Sequence, residues 1–441
     1  MLKKWFVTAA LLMCVSSFAL EGKLFFTLAP NVADEFAHIM PFRPPHIPNV
    51  TRCVRNQPVE LILVLAKPAV GKNGEVLVEV ESAVATEPGG KTTELVEAGK
   101  PRAALQGVKK NARDFSGVML ANFGMRMIVE DTDPLGKTRI CLRLRDRGDD
   151  SVLELAAEID AVETLPDAPE KPMSTEEMSK FITEYYQSPD PAKIQATFAA
   201  FLRFDEENSG KKRAYDPLMW LCAFAELCKL NPQLRPALAK GAADYSDIHK
   251  KYVAMILAEA GAEEVELKDA DPELQALFAK VRGKKPLSFE VVIHPAQLDA
   301  LWTQFFVTGR VEPIRRLVGE LRKRDNVMTL DEAKKLGRKP NADEMKKIMN
   351  GLVGRAAEWS LAANAKQHKL VGYYLEAMLI RQEFPDPDAA IKLGGMLINA
   401  GLMEVVDKPD GGKGLRSVLK PPAGKSEPGG NGNSTPLGNE K

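Results

Sequence analysis

TRICLRLRDRGDDSVLELAAEIDAVETLPDAPEKPMSTEEMSKFITEYY, residues 138–186, holds the point at which this chain changes its folding rule. In its first part Ile140, Leu142 and Leu144 alternate with Arg139, Cys141, Arg143 and Arg145, and Leu153, Leu155, Ala157, Ile159 and Ala161 alternate with Glu154, Glu158 and Asp160. A period of two places one face of a strand on a core and the other in water. Two antiparallel strands are therefore expected, joined by a turn in DRGDD, residues 146–150. TLPDAPEKP, residues 164–172, then reads as a linker, because its prolines remove backbone donors and stiffen the chain. Beyond it Met178, Phe181, Ile182 and Tyr185 take up helical spacing, and Ser174 with Glu177 makes a capping box ahead of them. The fold class this predicts is multidomain: an N-terminal antiparallel β-sandwich, then a C-terminal all-α array of antiparallel helical hairpins.

The strand pattern extends upstream over 57–163. PVELILVLA (58–66) and EVLVEVESAVA (75–85), split by KPAVGKNG, read as a strand pair, and MRMIVE (125–130) ends in a turn at DTDPLG. The run DPLGKTRICLRLRD (133–146), with PVELILVLA and the loop EPGGK (87–91), resembles the late strands of immunoglobulin-like or fibronectin-like sandwiches of bacterial envelope proteins. That resemblance implies a module that spaces and binds, and it brings no catalytic residues. Residues 20–56, with the proline-rich MPFRPPHIPNV at 40–50, are expected to form an extended lead-in packed along the sandwich.

From 174 to 405 the pattern is helical. Asp190-Pro191, Asp216-Pro217, Asn231-Pro232, Asp271-Pro272 and Asp386-Pro387 each combine a capping side chain with a proline that needs no donor, so each is expected to open a helix. Their irregular separation excludes a fixed repeat. In LDALWTQFFVTGRVEPIRRLVGELRKR (298–324), Leu298, Leu301, Trp302 and Phe305 form one stripe, opened by Pro295 and closed by Gly309. Ile314, Leu317, Val318 and Leu321 form the next. The pair is similar in shape to the helical unit of tetratricopeptide repeats. LWTQFFVTGRVEPIRRLV and AAEWSLAANAKQHKLV are similar to uncharacterised bacterial helical domains, over about 295–382, and no function comes with that likeness. Residues 406–441, rich in Gly, Pro, Ser and Asn, are expected to be disordered.

Composition and the N-terminus bound the function. The 441 residues include 45% apolar ones, enough for real cores. MLKKWFVTAALLMCVSSFAL has the basic start, apolar run and small residues of a secretory signal peptide, with cleavage expected after Ala19; the mature chain is then secreted or periplasmic. Loss of Lys3 and Lys4 leaves 58 basic against 60 acidic side chains, which gives no electrostatic reason for nucleic acid as a partner. No later stretch reads as a transmembrane helix. Cys53 and Cys141 are candidates for a disulfide in an oxidising compartment. Cys222 and Cys228 lie six apart in one expected helix, about 240° and 9 Å from each other, and cannot bridge.

Motifs that carry chemistry are scarce in this chain. HExxH and GxSxG are absent, and of His38, His46, His249, His294 and His368 only His38 and His46 lie at ligand spacing, in a lead-in where a metal site would need further ligands. Asp131, Asp133, Asp146, Asp149 and Asp150 suit turns. Asp205, Glu206 and Glu207 read as a solvated run, where acid/base work would need a desolvated carboxyl. No catalytic residue, metal ligand or cofactor is assigned. The candidate binding residues are the aromatics Trp302, Trp359, Tyr373 and Tyr374 and the basic pair Arg315 and Arg316. The architecture and the missing catalytic motifs predict a non-enzymatic binding or assembly protein that meets another envelope or extracellular protein through its helical domain. The alternative is an envelope or extracellular enzyme, such as a polysaccharide-cleaving one, with a helical catalytic domain. Burial of Trp220, Trp302 and Trp359 together, with no cleft gathering carboxylates, would remove support for the alternative; a cleft with two carboxylates about 5–10 Å apart beside an exposed Trp would overturn the non-enzymatic reading.

Overall fold

The computed structural model describes residues 20–40, 43, 45–71, 74–97, 99–108, 118–163, 173–208, 217–325, 327–384, 387–407 and 412–418. The expected signal peptide, the linker 164–172 and the last residues from 419 lie outside them. A β-rich N-terminal region is followed by a helical C-terminal region. Of the described residues, 20–28 with 47–163 form one compact unit and 29–46 with 173–418 the other.

The first unit contains β1 (Glu21–Thr27), β2 (Arg52–Val54), β3 (Val59–Ala66), β4 (Glu75–Thr86), β5 (Thr92–Val96), β6 (Arg102–Val108), β7 (Val118–Met127), β8 (Gly136–Asp146) and β9 (Val152–Val162). One sheet has the order β1-β3-β7; the other runs β2-β9-β8-β4-β5, with β6 also on β4. β8 and β9 pair antiparallel as their alternation predicts, setting Ile140 opposite Ala157 and Leu142 opposite Leu155. Phe26, Leu61, Leu63, Leu65, Val78, Val80, Leu142, Leu144 and Ile159, drawn from both sheets, are buried in one shared core.

Three expectations change here. PVELILVLA and EVLVEVESAVA do not pair: β3 is the central strand of its sheet, hydrogen-bonded to β1 and β7, so it has no free edge for β4. The segment 20–56 is not an extended lead-in, since it supplies β1 and β2 to the sheets and a helix, α1 (Val32–His38), to the other unit. Cys53 and Cys141 are free thiols; Cys53 is buried, whereas alternation turns Cys141 to the exposed face between Ile140 and Leu142.

In the second unit α2 (Thr175–Glu184) opens on the expected capping box, with Ser174 Oγ accepting from the Glu177 amide at 3.2 Å and Glu177 Oε2 from the Ser174 amide at 2.8 Å. Then come α3 (Ile194–Asn208), α4 (Leu218–Leu230), α5 (Arg235–Gly241), α6 (Asp247–Glu259) and α7 (Pro272–Val281). Pro272 begins α7, but Pro191 and Pro232 begin short 3-10 turns that run on into α3 and α5. Asn231 points its amide backwards, donating to Leu227 O at 2.9 Å and to Tyr185 Oη at 3.1 Å. Asp216 and Asp386 lie outside the described residues.

α8 (Pro295–Thr308), α9 (Val311–Gly319), α10 (Leu330–Lys335), α11 (Ala342–Gln367), α12 (Lys369–Arg381) and α13 (Pro387–Asn399) complete the helices. α8 is buried nearly all round, the pattern of an interior helix. Ala300 and Val307 join the core built on Phe201, Phe224 and Phe278, while Leu298, Leu301, Trp302 and Phe305 join the core of Ile314, Val353, Tyr374 and Leu393. Gly309 ends α8 with φ 64°, as its position predicts. Across the boundary at 405/406 an antiparallel pair forms, β10 (Met403–Asp407) with β11 (Lys413–Ser417), so the described start of the tail expected to be disordered is a strand. Among the described residues no helix is long and apolar enough to cross a membrane.

Candidate functional site

Side chains three and four apart share a helix face, and three helices turn such stripes toward one cleft of about 480 Å³. α8 contributes Asp299, Trp302, Thr303 and Phe306. α11 contributes Trp359, Ser360, Asn364 and Gln367, with His368 just beyond its end. The end of α2 and the turn after it contribute Thr183, Glu184 and Gln187. Trp302 therefore belongs to two stripes, the apolar one that packs α8 and this second one.

The wall is aromatic. Trp302 is 4% exposed and its ring stacks on Phe306, with centroids 5.8 Å apart and planes 23° apart. Phe306 lies 4.9 Å from the His368 ring. His368 Nδ1 is 3.3 Å from Tyr186 Oη and 3.5 Å from Gln187 Nε2. Burial holds the His368 pKa below its ordinary value, against the opposing pull of Glu184, so the ring is neutral at neutral pH and offers one donor and one acceptor. Trp302 Nε1 is buried with no hydrogen-bond partner among the described residues. At the rim the order inverts: Trp359 is 74% exposed, an indole held in water.

Polar groups on the same faces are partly committed to their own helices. Thr303 Oγ1 donates to Asp299 O at 2.8 Å, and Asn364 Nδ2 donates to Ser360 O at 3.0 Å. Each keeps acceptor capacity, on the Thr303 hydroxyl oxygen and on Asn364 Oδ1. Glu184 and Asp299 carry the formal charges of the lining, and no Lys or Arg belongs to it.

Of the residues singled out in the sequence, the structure thus brings Trp302 and Trp359 together and leaves the others elsewhere. Tyr374 is fully enclosed, its Oη donating to Gly309 O at 3.0 Å. Tyr373 is buried with the Arg43 guanidinium 4.9 Å from its ring centroid. Arg315 Nη2 lies 3.2 Å from Glu383 Oε2 and 3.0 Å from His38 Nδ1. Arg316 Nη2 donates to Phe289 O at 2.6 Å, and its guanidinium covers the Phe289 ring at 4.9 Å. The basic pair expected to bind a partner is spent on such internal contacts.

The sequence reading of Asp205, Glu206 and Glu207 as a solvated run is corrected at its first member. Asp205 lies on the inner face of α3, 1% exposed, with its Oδ2 3.1 Å from Nε2 of the equally buried His249. Closed from solvent on both sides, that pair ties α3 to α6. Among the described residues no group of His, Cys, Asp and Glu could hold a metal ion. Of the expected turn aspartates, Asp133, Asp146 and Asp149 cap loop amides, Asp146 accepting from Ala69 at 2.6 Å and Gly148 at 2.8 Å.

Sequence reasoning did not find Glu184, Gln187, Asp299, Phe306, Asn364, Gln367 or His368. The signal was present as spacing, at 299/302/303/306 and 360/364/367, but spacing does not say which stripes of distant helices converge.

No family model matches the sequence, and no curated protein matches it. Among solved structures, a family 123 glycoside hydrolase from Clostridium perfringens, described for its glycolipid glycan hydrolysis, is similar over 43% of this chain and 36% of that one, with 10% identity and a TM-score of 0.20. At that score the likeness decides neither fold nor function. This chain spans little more than a third of that protein's length.

Proposed function

We propose that the protein is a secreted or periplasmic, non-enzymatic binding protein that holds an envelope or extracellular partner through its helical domain, at the cleft between α2, α8 and α11. In this reading the N-terminal domain is an immunoglobulin-like β-sandwich that serves as a spacer, and the helical domain is an array of antiparallel hairpins. The observation that carries the proposal is Trp359: an indole 74% exposed at the rim of an aromatic cleft is of the residue type that dominates binding energy when a partner covers it. The test compares the mature protein with Trp359→Ala as baits in the envelope fraction. A component retained by the native chain and lost with the variant supports the reading, and identical retention by both defeats it.

A second reading has its own observation. Glu184 and Asp299 share the cleft with the exposed Trp359, and a carboxylate pair flanking a sugar bond is the machinery of glycoside hydrolysis. Incubating the retained component with the protein separates the two readings. Product release abolished by Glu184→Gln or Asp299→Asn, with retention intact, would make it an enzyme.

A further inference from the structure

The chemistry of the lining narrows the partner. A volume of about 480 Å³ falls within the roughly 300–1,000 Å³ of small-ligand sites. A cleft of that size takes a short segment rather than the broad face that a protein partner of standard size presents. An anionic ligand would call for Lys or Arg, and the lining has neither; its two full charges, on Glu184 and Asp299, are both negative. What it does offer is a flat indole at the rim together with amides from Gln187, Asn364 and Gln367 and hydroxyls from Thr183, Thr303 and Ser360. The amides both donate and accept, the hydroxyls of Thr183, Thr303 and Ser360, whose protons go to carbonyls of their own helices, keep acceptor oxygens, and carboxylates add strong acceptors for hydroxyl donors. A pyranose ring has the complementary form: a face of C–H groups that lies on an aromatic ring, and an edge of hydroxyls that each donate and accept. The Trp302 indole N–H behind this wall is buried without an acceptor among the described residues.

We infer that the cleft binds a neutral oligosaccharide, with Trp359 as the platform for a sugar ring and Gln367, Asn364, Gln187 and the two carboxylates as partners of its hydroxyls. This rests on the proposed binding role of the same cleft and names its ligand class. Trp220 and Trp302 are buried, so Trp359 is the exposed indole among the described residues, and its fluorescence is a direct reporter of an occupied rim.

The experiment titrates the mature protein, Trp359→Ala and Gln367→Ala with neutral oligosaccharides of glucose, galactose, mannose, xylose and N-acetylglucosamine, by calorimetry and by tryptophan fluorescence. An oligogalacturonate supplies the anionic control and choline the cationic one. The expected result is binding of at least one neutral sugar with a change in indole emission. Trp359→Ala should weaken it by roughly tenfold or more, and Gln367→Ala should weaken it while leaving the emission change at saturation. Tighter binding of oligogalacturonate or choline than of every neutral sugar overturns the inference. If no neutral sugar binds while Trp359→Ala still loses an envelope component, the ligand class is wrong and the binding role stands. If no neutral sugar binds and that component is retained equally by both chains, ligand class and binding role fall together.

Discussion

Arg43 and Glu376, 333 positions apart in the chain, meet as a buried two-pronged ion pair: Arg43 Nε lies 3.0 Å from Glu376 Oε2 and Nη2 lies 3.1 Å from Oε1. The same guanidinium donates to Ser417 Oγ at 3.0 Å and covers Tyr373. One residue thus joins the segment 29–46, α12 and β11. Arg381 fastens the same segment, donating to the Ala37 and Ile39 carbonyls at 2.5 and 2.9 Å. Removing one member of a buried pair strands the other charge, which costs about 3–5 kcal/mol, whereas replacing both by apolar side chains is near neutral. Arg43→Met should lower the stability of the helical unit by that amount, and Arg43→Met with Glu376→Leu should recover most of it. Urea unfolding followed by helical circular dichroism measures both.

Glu35 gives the same segment a pH response. Burial raises its pKa to about 7 from 4.5, although the amide of His46 and the side chain of Asn31 both favour its charged form. Below pH 4.5 folded and unfolded chains both hold the proton, and the group is neutral in the balance. Between 4.5 and 7 the unfolded chain releases it first, so stability falls as pH rises, and the full loss of at most about 3 kcal/mol is reached above 7. Glu35→Gln should flatten this slope in thermal melts taken across the range.

Gly309 is fixed by conformation and by space. Its φ of +64° is costly for a side chain, about 1–2 kcal/mol, and a Cβ there would lie 2.6 Å from Asn31 Nδ2. Gly309→Ala should destabilise by about 2–3 kcal/mol. Gly319→Ala, at the end of α9 with φ −58° and open space around its Cβ, should stabilise by up to about 1 kcal/mol. Paired melts of the two variants check the contrast.

Trp302 and Trp359 share a cleft but not a role. Trp302→Ala should cost about 3–5 kcal/mol of stability, because it empties a packed site against Phe305 and Phe306. Trp359→Ala should stay within about 0.5 kcal/mol of the native chain, and its effect should appear in binding.

Local rules were legible wherever they act locally. The alternation of Ile140, Leu142 and Leu144, the Ser174–Glu177 box and the left-handed Gly309 depend on a few neighbouring residues, and each is present as read. Strand pairing was less legible: the contiguous β3 and β4 look like partners, but a strand flanked on both sides has no room for its neighbour. The site was least legible, because Asp299, Asn364 and Gln187 are ordinary surface residues until three helices bring them together.

By itself, the sequence determined the switch from strands to helices near residue 170, the caps that start and stop individual helices, and the apolar stripes that must be buried. These follow from backbone periodicity and local hydrogen bonding. Only the tertiary structure decided that 29–46 belongs with the helices, that Asp205 is desolvated beside His249, that Tyr373, Tyr374 and the arginines serve packing, and that Trp359 stands in water at a cleft. Burial and charge pairing between residues hundreds of positions apart are set by which faces meet, and that is a property of the packed chain.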